Sequence, residues 1–165
     1  YDANEKQFYR RLLRRPEIKI DIRKAQQSEW ELFKEFHYLD AAHNKSAHKY
    51  IAEINGEPVA WCSFLPLPHP ILKNCKRIHR IVVRPDYQGI GVGGKFMSEL
   101  AKDYKTQGKR IRLVTSAPSF IHGLSASKNW IMVRKPGRLK PAGEKGVFKG
   151  STSDARLTAS FEFIG

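Results

Sequence analysis

Cysteine is nearly absent: Cys62 and Cys75 are the only two in 165 residues, too few for a disulfide framework. Cys62 lies in a β-like run and reads as a small buried hydrophobe rather than a nucleophile. Acidic side chains are also under-represented, with 16 Asp+Glu against 30 Lys+Arg and a formal charge of +14. Long apolar runs are missing, since Pro58 to Leu67 and Ile78 to Val83 fall well short of the ~18 residues needed to span a bilayer. The chain opens Tyr1-Asp2-Ala3-Asn4 and then turns basic. No secretory signal is therefore expected, and the absent leading Met is what a piece trimmed from a longer protein would give. His43 and His48 have no Cys or carboxylate at ligand spacing, so no metal site is expected. These absences together favour a reducing, cytoplasmic setting.

The 41% hydrophobic and 11% aromatic content rules out wholesale disorder. A chain of about 150 residues hides roughly 68–70% of its unfolded surface, so one domain over 1–165 is expected. Glu5 to Arg15 reads as a basic amphipathic helix ended by Pro16. Ile18, Ile20 and Ile22 alternate with Lys19, Asp21 and Arg23, the mark of a half-buried strand. Ser28 with Glu31 forms a capping box that opens a helix carrying Trp30, Phe33 and Phe36 or His37.

Strands follow at Tyr50 to Ile54 and Val59 to Leu65, with Asn55-Gly56 suited to a tight hairpin turn. Another strand, Arg77 to Val83, runs into a glycine-rich turn. Val92, Phe96, Leu100, Ala101 and Tyr104 then recur at helical spacing up to Gly108. A strand at Arg110 to Thr115, a short helix at Ser119 to Ser127 and a strand at Trp130 to Arg134 come next. A basic loop, Lys135 to Gly150, precedes a closing strand at Arg156 to Ile164. The order is that of an α/β layer with a mixed sheet.

The sharpest feature is Val83-Arg84-Pro85-Asp86-Tyr87-Gln88-Gly89-Ile90-Gly91-Val92-Gly93-Gly94-Lys95, a strand end followed by closely spaced glycines and a helix. Backbone without Cβ atoms can approach an anion, and the first N–H groups and positive dipole end of the helix point at it. Three nucleotide-type patterns compete for this turn. Gly89-x-Gly91-x-x-Gly94 fits a dinucleotide fingerprint, but Lys109 and Arg110 stand where a ribose-binding acid is expected. Gly89-x-x-x-x-Gly94-Lys95 starts like a Walker A loop, but Phe96 follows in place of the Mg²⁺-binding hydroxyl.

The third pattern, Gln88-x-x-Gly91-x-Gly93 after a strand ending Val83-x-Pro85, resembles the coenzyme A loop of the GNAT acetyltransferases. The resemblance runs from the Ile18 strand to the closing strand. It implies the GNAT fold, a central mixed and mostly antiparallel sheet flanked by helices. Phe36-His37-Tyr38-Leu39, Ile78-His79-Arg80, Pro85-Asp86-Tyr87-Gln88-Gly89, Thr115-Ser116-x-Pro118 and Arg156-x-Thr158-Ala159-Ser160-Phe161 look like a prokaryotic and phage subgroup sometimes joined to ABC-type ATPase segments.

The resemblance implies an acetyl-CoA-dependent N-acyltransferase working by direct attack of an amine, with no covalent enzyme intermediate. It assigns backbone groups of Ile81, Val82 and Val83 to the pantetheine arm. The N–H groups of Gln88, Gly89, Ile90, Gly91, Val92, Gly93 and Gly94 fall to the pyrophosphate, with Lys95 and Arg84 as possible added charge. His79 is the expected base, because imidazole titrates near neutrality and the residue lies on the strand beside the thioester. Ser125 occupies the place where many members carry a leaving-group tyrosine, with Ser116 and His122 as alternatives. His37 and Tyr38 are expected on the acceptor side.

Arg10, Arg11, Arg14 and Arg15, with Lys135, Arg138, Lys140, Lys145 and Lys149, form two basic clusters. They are either solvated faces or grips for nucleic acid near which the transferase works. The competing function is a coenzyme-binding or nucleic-acid-associated module that keeps the fold with little or no turnover. Peptide, small amine, aminoglycoside, nucleobase and charged tRNA remain open as acceptors.

Overall fold

The structure, a computed structural model, describes residues 17–37, 43–137 and 157–165. The stretch Glu5 to Arg15 expected as a leading helix, Tyr38 and the basic stretch beyond Gly137 lie outside the described residues. Among the described residues seven strands form one sheet: β1 (Asp21–Lys24), β2 (His48–Ile54), β3 (Glu57–Pro66), β4 (Cys75–Val83), β5 (Arg110–Thr115), β6 (Trp130–Gly137) and β7 (Thr158–Phe163). Their spatial order is β1-β2-β3-β4-β5-β7-β6. Every pairing is antiparallel except β4 with β5, which is parallel. Two helices join the later strands, α1 (Val92–Thr106) after β4 and α2 (Pro118–Ser125) after β5. The sheet is therefore mixed and mostly antiparallel, as the sequence led us to expect.

Period and turn chemistry explain the elements that match. Asn55 and Gly56 take φ of 52° and 80°, the left-handed pair that closes the β2–β3 hairpin. The helical spacing read from sequence becomes the buried face of α1, where Val92, Phe96, Leu100, Ala101 and Tyr104 are all buried. That face packs with Phe64, Ile78, Ile111, Leu113 and Phe161 into the main core. A smaller cluster of Trp30, Phe33, Ile51, Trp61 and Val82 lies on the sheet's opposite face.

Three expectations need correction. The helix expected after Ser28 is instead two 3-10 turns, Gln27–Leu32 and Lys34–Phe36. Its box is shifted by two residues, with the Glu29 carboxylate accepting from the Gln26 N–H at 2.8 Å. Trp30 and Phe33 need only one side of a short turn to reach the smaller core, so no long amphipathic helix forms. The first strand begins at Asp21 rather than Ile18; Ile18 and Ile20 pack on the main core, while Ile22 is exposed. Finally, β6 continues through Lys135 and Pro136 to Gly137, so the loop does not begin at 135.

The far half of the sheet is tied by one acid. Glu162 on β7 stands opposite Arg112 on β5. Its Oε1 accepts from Arg110 Nε at 2.7 Å and its Oε2 from Arg112 Nη2 at 2.8 Å. Burial would raise the Glu162 carboxyl, but the hydrogen bonds and charges of the two arginines prevail and hold it below the usual carboxylate range. Replacing the carboxylate leaves two guanidinium groups on this face without their partner. Glu162→Ala should therefore cost about 2 kcal/mol, reduced from the fully buried case because both arginines are partly exposed. Differential scanning calorimetry should read this as a Tm lower by roughly 4–8 °C, with Glu162→Gln intermediate.

Candidate functional site

The parallel β4–β5 pairing covers only Cys75, Lys76 and Arg77 against Arg110, Ile111 and Arg112. Beyond it, Ile81, Val82 and Val83 pair only with β3, through Cys62, Trp61 and Ala60. Leu113 to Thr115 pair only with β7. The two strands thus part, and main-chain polar groups on their facing edges are left without a ladder. A wedge opens toward the end of β4.

At the head of the wedge the chain makes the turn Pro85–Tyr87 and then the glycine-rich arc. Gly89 and Gly91 have φ of 77° and 101°, a region that side chains with a Cβ rarely enter. Gly91 is the N-cap of α1 and supplies no side-chain cap. Among the described residues the N–H groups of Gly89, Ile90, Gly91, Val92, Gly93 and Gly94 have no hydrogen-bond partner. Six donors and the positive end of a helix dipole therefore lie within one turn where residues 88–95 carry no carboxylate. That donor set fits a diphosphate.

Side chains fix the arc rather than line it. Gln88 Nε2 donates to the Val83 carbonyl at 2.8 Å, tying the loop to the strand end. Arg84 bonds Glu57 at 2.5 Å, and the Tyr87 hydroxyl donates to the other Glu57 oxygen at 2.9 Å. Lys95 donates to the Ile18 carbonyl. Arg84 and Lys95, expected as additional charge for an anion, are thus engaged elsewhere. A Cβ at Gly93 would lie 3.0 Å from both Phe120 Cζ and Val83 Cγ2. This glycine lets α1 seat directly on the strand end and on α2.

His79 sits in a register shift between β3 and β4: Ser63 pairs with Arg80, and Phe64 with Ile78. The extra residue turns His79 away from the main core, so its ring meets that of His43, centroids 5.7 Å apart. His43 in turn lies 5.1 Å from Trp30 and 5.2 Å from Trp61 between ring centroids. Its Nε2 is 3.0 Å from the fully buried Ser63 hydroxyl. Arg80 donates to the His37 ring at 2.9 Å. The structure thus gathers His37, His43, His79, Arg80 and Ser63.

Burial, helped by Arg80 and Arg77, pushes His79 down to about 4. Burial, followed by Lys49 and Arg80, does the same to His43, also to about 4. The expectation that His79 titrates near neutrality is corrected: at pH 7 it is neutral and a weak base.

Sequence reasoning missed His43 and Ser63. His43 stands in a polar loop with no periodicity, and Ser63 is masked by the apolar run around it. Ser125, in contrast, is exposed at the end of α2, and its hydroxyl donates to the Ile121 carbonyl at 2.7 Å. Among the described residues no contact joins Ser125 to His79. His122 is also exposed, and no candidate metal cluster occurs among the described residues. No described helix is long and apolar enough to cross a membrane.

A family model described as "Acetyltransferase (GNAT) family" matches residues 8–120. The ribosomal-protein-S18-alanine N-acetyltransferase of Escherichia coli superposes with a TM-score of 0.60 at 14% identity, over 88% of this chain and 93% of that one. The IAA acetyltransferase of Bacillus cereus ATCC 14579 gives 0.60 at 14%, over 87% and 98%. A GNAT family acetyltransferase from Elizabethkingia anophelis with acetyl-CoA bound gives 0.58 at 15%, over 88% and 97%. At these identities the likeness is one of fold. No curated protein matches the chain.

The depressed histidines make stability depend on acidity with a defined sign. Unfolding restores both to the ordinary 6.5 from about 4, so the unfolded state binds more protons between those values. Stability from this source is complete above pH 6.5 and is lost as pH falls toward 4. Urea midpoints measured from pH 7.5 to 4.5 should fall, and the fall should be shallower for His79→Gln.

Proposed function

Because the chain belongs to the GNAT acetyltransferase family, we propose that it is an N-acyltransferase using acetyl-CoA and an amine acceptor in the cytoplasm. One observation carries this reading: an arc of six unpartnered N–H groups stands at the head of a wedge between two parted parallel strands. Acetyl-CoA, when bound, supplies the acetyl group as a thioester activated toward attack. The N–H groups from Gly89 to Gly94 hold its diphosphate. Main-chain groups of Ile81, Val82 and Val83 along the open edge of β4 take the pantetheine arm.

His79 receives the proton that the acceptor nitrogen loses. His43, set by Ser63 and the two tryptophans, fixes the orientation of the His79 ring. His37, held by Arg80, lies on the acceptor side, where we also place Tyr38. Ser125 would return a proton to the departing sulfur only through water, since its hydroxyl is donated to Ile121. That engagement favours the second reading, a coenzyme-binding module with little or no turnover. Mixing the protein with acetyl-CoA and a panel of amines, then titrating free thiol, separates the two.

Thermal shift with acetyl-CoA, coenzyme A, ATP and NAD tests the binding claim directly, because a ligand held by the folded state alone raises Tm. Acetyl-CoA and coenzyme A should raise it, and ATP and NAD should not. Gly91→Ala forces a Cβ into the φ of 101°, a strain of roughly 1–2 kcal/mol. It should lower Tm modestly and weaken acetyl-CoA binding about tenfold. An equal response to all four ligands would overturn the assignment.

A further inference from the structure

The sheet face opposite α1 is covered over β2 to β4 by the cluster around Trp30, Phe33 and Trp61. Among the described residues no helix or turn covers its β5–β7–β6 part. Val114 there is 55% exposed and Ile131 45%. Arg77 and Arg112 are cross-strand partners in the parallel pair, as are Cys75 and Arg110, so the three arginines share this face. Arg77 is exposed and has no partner among the described residues. Arg110 and Arg112 each direct only Nε and Nη2 at Glu162. Three guanidinium groups thus stand against a single carboxylate. Neighbouring strands are about 4.7–4.9 Å apart, so the arginines form a short row. The row begins at the foot of the wedge, three residues from Arg80 along β4.

We propose that this row is a polynucleotide-binding surface, on which Arg77, Arg110 and Arg112 take successive backbone phosphates and lead the strand toward the wedge. Charge complementarity selects the occupant: a planar, doubly donating guanidinium matches phosphate geometry, and the chain as a whole carries +14. Among the described residues the exposed floor is aliphatic, with Val114 and Ile131 and no exposed aromatic ring for base stacking. Affinity therefore comes from phosphates and is largely independent of sequence. That the bound strand carries the acetyl acceptor rests on the transferase reading; the binding itself does not.

Fluorescence anisotropy of the full chain with a labelled 20-nucleotide single strand, DNA and RNA, between 50 and 200 mM salt tests the surface. Three phosphate contacts on a single strand contribute about 2 to the log–log salt slope. Arg77→Glu should weaken binding about tenfold or more and reduce the slope by roughly 0.7–1. Arg110→Gln should act in the same direction, and Arg77→Lys, which keeps the charge but loses the planar fork, should keep the salt slope while binding several-fold more weakly than the native chain. If the charge reversal does not fold, Arg77→Gln serves in its place with a smaller loss. Unchanged affinity and slope in both Arg77→Gln and Arg110→Gln would overturn the proposal, as would equal competition by a polyglutamate peptide of matched charge. The thermal shift with acetyl-CoA is read on the same samples. Its absence in native protein that still binds the strand through Arg77 would remove the transferase reading and leave this surface standing.

Discussion

Three pairs of residues hold β4 to β5, and the chemistry of the molecule depends on the pairing stopping there. A parallel pair buried in a sheet normally continues, because each unmatched main-chain group costs about as much as a lost hydrogen bond. Here both strands satisfy their other edges, β4 with β3 and β5 with β7. The facing edges are thereby free for a ligand that can supply amide-like partners. The helix after β4 completes the arrangement. Gly93 allows α1 to rest on Val83 and Phe120 with no Cβ intervening, and Gln88 fastens the turn to the Val83 carbonyl. Strand end, amide arc and helix dipole consequently share one fixed origin.

Charge is distributed with the same division of labour. Arg84 and Tyr87 are held by Glu57, and Lys95 by a main-chain carbonyl. These polar side chains locate the loop and leave the backbone N–H groups as the donors open to an anion. Glycine-spaced N–H donors suit this role, because they carry no long side chain whose freedom must be lost on binding. Positive charge in excess of its partners lies instead on the sheet face, where Arg77, Arg110 and Arg112 stand against the single Glu162 carboxylate.

The legible parts of the fold were those where one period or one turn decides the structure. The α1 face, the Asn55-Gly56 hairpin and the strand limits Arg110 to Thr115 follow from side-chain spacing and positive φ alone. The glycine arc was legible for the same reason. What sequence could not give was any feature set by register across strands. The shift that turns His79 toward His43 exists only between Ser63 and Phe64 on one strand and Ile78 and Arg80 on the next. The 3-10 turns were hidden too, since Trp30 and Phe33 at a spacing of three satisfy either helix type. The basicity of His79 depends on burial and on Arg80 and Arg77, neither of which a local motif reports.

That basicity constrains the acceptor under the proposed transfer. An amine of ordinary pKa near 10.4 is cationic at pH 7, and burial holds His79 below the ordinary imidazole range, so handing that proton directly to His79 would run uphill. Arg80 and Arg77 both act on His79 through their charge, so a cationic acceptor at that ring would also meet like charge. A nitrogen that is uncharged at pH 7 avoids both obstacles, because it attacks first and becomes acidic only as the new bond forms. A weak, neutral imidazole is then a sufficient acceptor for the proton. An amine whose proton has already passed to solvent meets this condition, as do poorly basic nitrogens such as the exocyclic amino groups of nucleobases. Under the proposed transfer, the His79 pocket therefore calls for a nitrogen that is neutral at the moment it attacks.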